Sequence, residues 1–108
     1  MFHKMLHSLR VGLARVLPVG SGAATERRGD AAEARTGVLI YGAGRTGRQL
    51  AAALARDDTI RPVAFVDDDP RLQSLTIEGL RVHPARAIDA LVARHAIRRI
   101  VLAMPGAT

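Results

Sequence analysis

The chain has no cysteine and no tryptophan, one tyrosine, two phenylalanines and, at Lys4, a single lysine. Without cysteine there are no disulfides, no thiolate metal sites and no thiol nucleophile, a composition that fits a reducing cytoplasm. Phe2, Tyr41 and Phe65 are too few for a base-stacking surface, and neither a helix-turn-helix nor a zinc pattern is present. Nucleic acid is therefore not expected as a partner, despite a formal net charge of +6. That charge is nearly all arginine and is spread along the chain. No apolar run reaches the roughly 18 residues of a membrane span, because Arg10 and Arg15 interrupt the most apolar N-terminal stretch, and Arg15 also spoils a secretory h-region.

What is present centres on one motif. Val38 to Tyr41 is a short apolar run that reads as a buried parallel strand. Gly42, Gly44 and Gly47 follow in a G-x-G-x-x-G arrangement, and Arg45 to Arg56, rich in alanine and leucine and free of proline, reads as a helix. Between strand and helix, Gly42 permits a tight turn, Gly44 lets the backbone approach a pyrophosphate, and Gly47 lets the helix lie close on the sheet. Amides at the helix start then point at the anion. Pro62 to Val66 reads as a second strand delivering Asp67, about 20 residues beyond the last glycine, to a ribose diol. A carboxylate there disfavours a 2′-phosphate, so NAD is expected over NADP. The alternative is that the glycines build a tight turn in a domain without a ligand.

Elsewhere, Phe2, Met5, Leu6, Leu9, Leu13, Val16 and Leu17 fall at helical spacing with Lys4, Arg10 and Arg15 between them. Residues 1–17 are thus expected to form a basic amphipathic helix ending at Pro18, suited to an anionic membrane surface or to packing on the protein itself. Residues 18–36, poor in large apolar side chains, read as a flexible linker, and residues 37–108 as the folded unit. Asp68-Asp69-Pro70 reads as a turn in which Asp69 caps a short helical turn; its carboxylates lack further converging ligands for magnesium. Leu80 to Val82 is a short strand, Ala85 to His95 a helix with Ile88, Leu91 and Val92 as its apolar stripe, and Ile100 to Met104 a strand ending at Pro105.

The expected fold is α/β: a partial Rossmann-like parallel sheet with flanking helices, preceded by the amphipathic helix and the linker. Ile100 to Met104 should lie beside Val38 to Tyr41, with the nucleotide crevice above their carboxyl ends. That last strand would be an exposed apolar edge, open to self-association.

Catalytic groupings are missing. Tyr41 is followed four positions on by Arg45 instead of lysine, so no Tyr-x-x-x-Lys pair exists. His3 and His7 lack a third metal ligand, His95 sits where a helix C-terminus accounts for it, His83 reads as a loop residue, and Ser74 has no partnered base. No catalytic and no metal-binding residues are assigned. The ligand-binding candidates are Gly42, Ala43, Gly44, Arg45, Thr46, Gly47, Asp67 and Asp68.

Three segments in order, Val38-Leu39-Ile40-Tyr41-Gly42-Ala43-Gly44 with Gly47-Arg48-Gln49-Leu50, then Val63 to Pro70, then Ile100 to Pro105, resemble one family. It is the nucleotide-binding, CoA-binding-like domain of membrane-bound nucleotide-sugar 4,6-dehydratases and epimerases of bacterial polysaccharide biosynthesis; Gly79 to Val82 also matches. The resemblance covers about residues 37 to 108. It implies a nucleotide ligand, NAD with CoA or a nucleotide-sugar as alternatives, and a place at the inner face of the bacterial plasma membrane. In that family transmembrane helices precede this domain and a second, catalytic Rossmann domain follows it, so the chain is expected to be a fragment that does no chemistry alone. A similar domain occurs in initiating sugar-phosphate transferases, and a non-catalytic interaction or scaffold role is the alternative of another class.

Overall fold

The computed structural model describes residues 14–18 and 35–103. In chain order these form β1 (Ala14–Pro18), β2 (Thr36–Tyr41), α1 (Arg45–Leu54), β3 (Ile60–Val66), β4 (Thr76–Ile77), β5 (Leu80–His83), a 3₁₀ turn (Ala85–Ala87), α2 (Ile88–His95) and β6 (Ile97–Ala103). The strands make one six-stranded sheet in the order β1-β6-β2-β3-β5-β4. β6, β2, β3 and β5 run parallel, while β1 pairs antiparallel to β6 and β4 antiparallel to β5.

Continuous apolar sequence puts β2 in the middle. Val38, Leu39 and Ile40 are all fully buried, as a parallel strand covered on both faces requires. Side chains alternate between the faces. Val38 and Ile40 join Leu50 and Leu54 of α1, Phe65, Val82 and Val101 in one cluster; Leu39 joins Ala64, Val66, Ile97 and Leu91 of α2 in the other. The buried residues of α1, Thr46, Gly47, Leu50, Ala51 and Leu54, recur every three or four positions and form a single stripe. α1 therefore carries the chain from β2 to β3 on one face, and α2 carries it from β5 to β6 across the other. The connections leave β2 in opposite directions, so its border with β6 is the point where strand order reverses, and ligands of open α/β sheets bind above such a border.

The four strands and two helices expected from residue 37 onward are all present, with moved boundaries. β3 begins at Ile60, β6 begins at Ile97, α1 stops at Leu54 in a run of turns through Asp57, and the second helix opens with the 3₁₀ turn. Asp69 forms the expected turn: its Oδ1 accepts the Arg71 amide at 2.9 Å and its carbonyl accepts the Leu72 amide at 2.9 Å. β4 is an addition, joined to β5 through Glu78 and Gly79, both at positive φ (54° and 79°) as a two-residue hairpin turn requires.

Two expectations are corrected. Residues 14–17, assigned to the amphipathic helix, lie in strand β1, and Pro18 and Thr36, assigned to the linker, lie in β1 and β2. The cause is tertiary: β6 offers a row of backbone donors and acceptors, and pairing satisfies them and those of β1 together. The same pairing overturns the exposed β6 edge, since β6 lies between β1 and β2 and the sheet instead ends in β1 and the two-residue β4. The remainder of the amphipathic helix, residues 1–13, most of the linker, residues 19–34, and Met104 lie outside the described residues.

Candidate functional site

The glycine turn sits at the carboxyl ends of β2 and β6, and its three glycines answer to different neighbours. Gly42 has φ of 118°, and a Cβ there would run into the carbonyl oxygen of Ala103. A Cβ on Gly47 would run into the carbonyl oxygen of Gly42. Both are therefore demanded by the way strand, turn and helix meet. Gly44 is different: its φ is an ordinary −86°, and a Cβ there would meet nothing within 4 Å. Packing within the described residues gives no reason for glycine at this position.

Gly44 is also the N-cap of α1, and it supplies no capping side chain. The first amide of the helix to find an intrahelical acceptor is that of Arg48, on the Gly44 carbonyl at 2.9 Å. The amides of Arg45, Thr46 and Gly47 precede it and have no acceptor among the described residues. No acidic side chain stands in the first turn, whereas Arg45 and Arg48 do. Arg48 Nε also donates to the Ala43 carbonyl at 3.3 Å, bracing the turn from the helix side. Open backbone, unsatisfied amides and the positive end of a helix dipole make an anion seat.

Asp67 directly follows β3 beside this seat, as expected, but it has a second occupation. Its Oδ2 accepts the Ala43 amide at 2.8 Å and its Oδ1 accepts the Asp69 amide at 2.8 Å. Its own amide donates to the His83 carbonyl at 3.0 Å, and Gln73 Nε2 donates to its carbonyl at 2.9 Å. The carboxylate thus ties the glycine turn to the loop after β3, and one lone pair on each oxygen is left for a ligand. Asp68 points elsewhere: both its oxygens accept the Tyr41 hydroxyl, at 2.9 and 3.0 Å. Burial, followed by that hydrogen bond and the charges of Asp68 and Asp67, pushes the Tyr41 phenol above its ordinary value. Tyr41 is consequently a neutral donor at physiological pH.

The structure brings Gly42, Ala43, Gly44, Arg45, Thr46, Gly47 and Asp67 together around one spot and sets Asp68 to its side. Three contacts escaped the sequence reading: Asp67 to the Ala43 amide, Tyr41 to Asp68, and Arg48 to the turn. Each joins residues by geometry that spacing does not encode; the presence of a phenol one residue before the turn and a second carboxylate after Asp67 was the available hint. His83 belongs to the end of β5, where burial and the charges of Arg81, His95 and Arg94 lower its pKa. His95 closes α2, its carbonyl accepting Arg61 Nη2 at 3.1 Å. His3 and His7 lie outside the described residues. Among the described residues no group of three metal-ligating side chains converges, and no helix is long and apolar enough to cross a membrane.

No family model and no curated protein matches the chain. Solved structures do. The chain is similar to UDP-D-quinovosamine 4-dehydrogenase from Vibrio fischeri, with 38% identity over 59% of this chain and 52% of that one, at a TM-score of 0.58. It is also similar to RSP, a Rex-family repressor, at 24% identity and a TM-score of 0.54 over 61% of this chain and 32% of that one, a likeness of fold. The complex of RSP with NADH aligns at 25% identity and a TM-score of 0.53, over 58% of this chain and 31% of that one. The chain therefore spans about half the length of the dehydrogenase and about a third of the repressor, and what it shares with both is a Rossmann-type α/β fold.

Proposed function

We propose that residues 35–103 are an NAD(H)-binding module of a nucleotide-sugar-processing protein of the dehydratase, epimerase or dehydrogenase kind. The observation that carries the reading is Gly44: alone of the three glycines it faces open space, and it does so where three helix amides have no acceptor among the described residues. The amides of Arg45, Thr46 and Gly47 would hold the pyrophosphate, with Arg45 adding charge, and the remaining lone pairs of Asp67 would accept a ribose hydroxyl. Bound NAD supplies a hydride acceptor. This chain contributes binding and orientation to that chemistry, since its one tyrosine is tied to Asp68 and its one lysine is Lys4.

Calorimetric titration with NADH, NAD⁺, CoA and a UDP-sugar tests this directly. NADH or NAD⁺ should bind, and Gly44→Val should abolish binding while leaving the thermal midpoint within a few degrees of the parent. Folded parent protein that takes up none of the four ligands would sink the proposal. Uptake of CoA or the UDP-sugar alone would keep the seat and replace its ligand.

A further inference from the structure

Among the described residues Thr46 is the one polar side chain that is buried, with 5% of its surface exposed. It belongs to the inner stripe of α1, with Gly47, Leu50, Ala51 and Leu54. Valine has the same shape without the hydroxyl, and a hydroxyl buried without a hydrogen bond costs stability. A helical threonine ordinarily turns that hydroxyl back onto the carbonyl three or four residues earlier. For Thr46 these carbonyls belong to Ala43, whose oxygen accepts Arg48 Nε at 3.3 Å, and to Gly42, whose oxygen lies against Gly47. Neither accepts the threonine. The one fully enclosed side-chain nitrogen or oxygen without a partner among the described residues is Arg61 Nε, so the Thr46 hydroxyl, equally without a partner there, is not sealed in the core. It belongs to the small part of the residue that reaches the surface.

The helix sets where that hydroxyl emerges. Helical side chains lean toward the N-terminus, and Thr46 is the second residue of α1, which brings its hydroxyl to the level of the amides of Arg45, Thr46 and Gly47. With about 3.6 residues per turn, Thr46 and Leu50 form one flank of the buried stripe, and Gly47 and Ala51 form the other. A Cβ on Gly47 would come within 3.5 Å of Phe65 in β3, which leaves Thr46 on the flank toward β6. Asp67, directly after β3, stands across the seat from it. We propose that the Thr46 hydroxyl is a specificity-determining contact of the seat, donating to an oxygen of the phosphate farther from the ribose held by Asp67. Given a nucleotide in the seat, on which this assignment rests, the ligand class narrows to nucleoside diphosphates and their esters, in which a second phosphate follows the first. Nucleoside monophosphates end short of Thr46. A hydroxyl donating to an ionised phosphate oxygen makes one of the stronger hydrogen bonds, and Thr46 has no bond within the described residues to break first.

Calorimetric titration of the full chain with AMP, ADP, ADP-ribose and NADH provides the test. The unaltered chain should hold ADP and ADP-ribose at least about tenfold more tightly than AMP. Thr46→Val should weaken ADP-ribose and NADH by about tenfold or more, the range for a hydrogen bond to a charged group, while its thermal midpoint without ligand equals or exceeds the parent's. Thr46→Ser, which keeps the hydroxyl, should bind NADH within about threefold of the parent. A smaller preference over AMP, a smaller loss in Thr46→Val, or a Thr46→Ser variant as weak as Thr46→Val would each overturn the assignment. So would a lower ligand-free midpoint in Thr46→Val, unfolding included, because it would show the hydroxyl bonded within the chain. Parent and Thr46→Val that bind NADH equally well would remove the Thr46 contact and leave the seat, whereas folded parent that takes up none of the four ligands would remove both.

Discussion

Gly42 and Gly47 are fixed by one corner of the molecule, in which the Ala103 carbonyl bears on Gly42 and the Gly42 carbonyl bears on Gly47. The obstructing atoms are backbone, so they cannot swing aside as the end of a long side chain would. Gly47→Ala should accordingly cost about 2 kcal/mol or more, in the range of overpacked sites, and lower the thermal midpoint by several degrees. Gly44→Ala has no such obstruction and, at a φ of −86°, no left-handed strain, so its thermal midpoint should match the parent. Equal losses in the two variants would show that Gly44 is structural and would remove the observation on which the ligand seat rests. Asp67 is the complementary case. Asp67→Ala leaves the Ala43 and Asp69 amides without their acceptor, at a cost of about 1–3 kcal/mol, and it should weaken NADH binding as well because the turn loses its brace. Chemical denaturation of the variant without ligand separates the two effects. Sequence placed Asp67 at the right end of the right strand, but its bond to Ala43 depends on how two loops approach across the sheet.

At the scale of elements, the readable parts are those whose stability is local or whose pattern is saturated. Val38-Leu39-Ile40 could only be a strand buried on both sides, and Leu50, Ala51 and Leu54 mark a helix with one buried stripe. Ala14–Pro18 and Thr76–Ile77 were not readable, for a common reason. Each is a strand because a neighbour, β6 or β5, presents a backbone edge, and a five- or two-residue segment has no periodicity of its own to set against a helical spacing. α2 shows a local compromise. It ends on Ala96 in the left-handed region at φ of 53°, with the Ala96 amide on the Val92 carbonyl, and Arg61 Nη2 secures the His95 carbonyl from below. Glycine is the usual residue at such a helix end. Ala96→Gly should therefore stabilise the fold by about 0.5–1 kcal/mol, a rise in midpoint readable by calorimetry. An unchanged or lower midpoint would mean that the alanine side chain earns its place by packing.

For the molecule as a whole, the titrating groups define one window of stability. His83 is lowered by burial and by nearby positive charge, Asp57 by hydrogen bonds from the Thr59 hydroxyl and amide, and Asp69 by its bonds to Arg71. In all three the folded state holds its proton less tightly than the unfolded state, so stability rises with pH across each transition. The His83 contribution is complete above the ordinary histidine value of about 6.5 and is lost as pH falls through its lowered folded value; those of Asp57 and Asp69 are complete above about 4 and fade below it. Tyr41 has the opposite sign. Its raised phenol is held more tightly in the folded state, so its contribution is present below about 10 and disappears as pH climbs through the folded value and the hydrogen bond to Asp68 is lost. The thermal midpoint should be highest between about pH 6.5 and 10, falling first on the acid side through His83 and then through the aspartates. Replacing His83 with Gln should flatten the fall between about pH 6.5 and 5, and replacing Tyr41 with Phe should flatten the fall above 10. A midpoint that peaked at acid pH in the parent would contradict the signs of all four shifts. A His83→Gln profile that kept the parent's slope would assign that part of the acid limb to groups outside the α2 face.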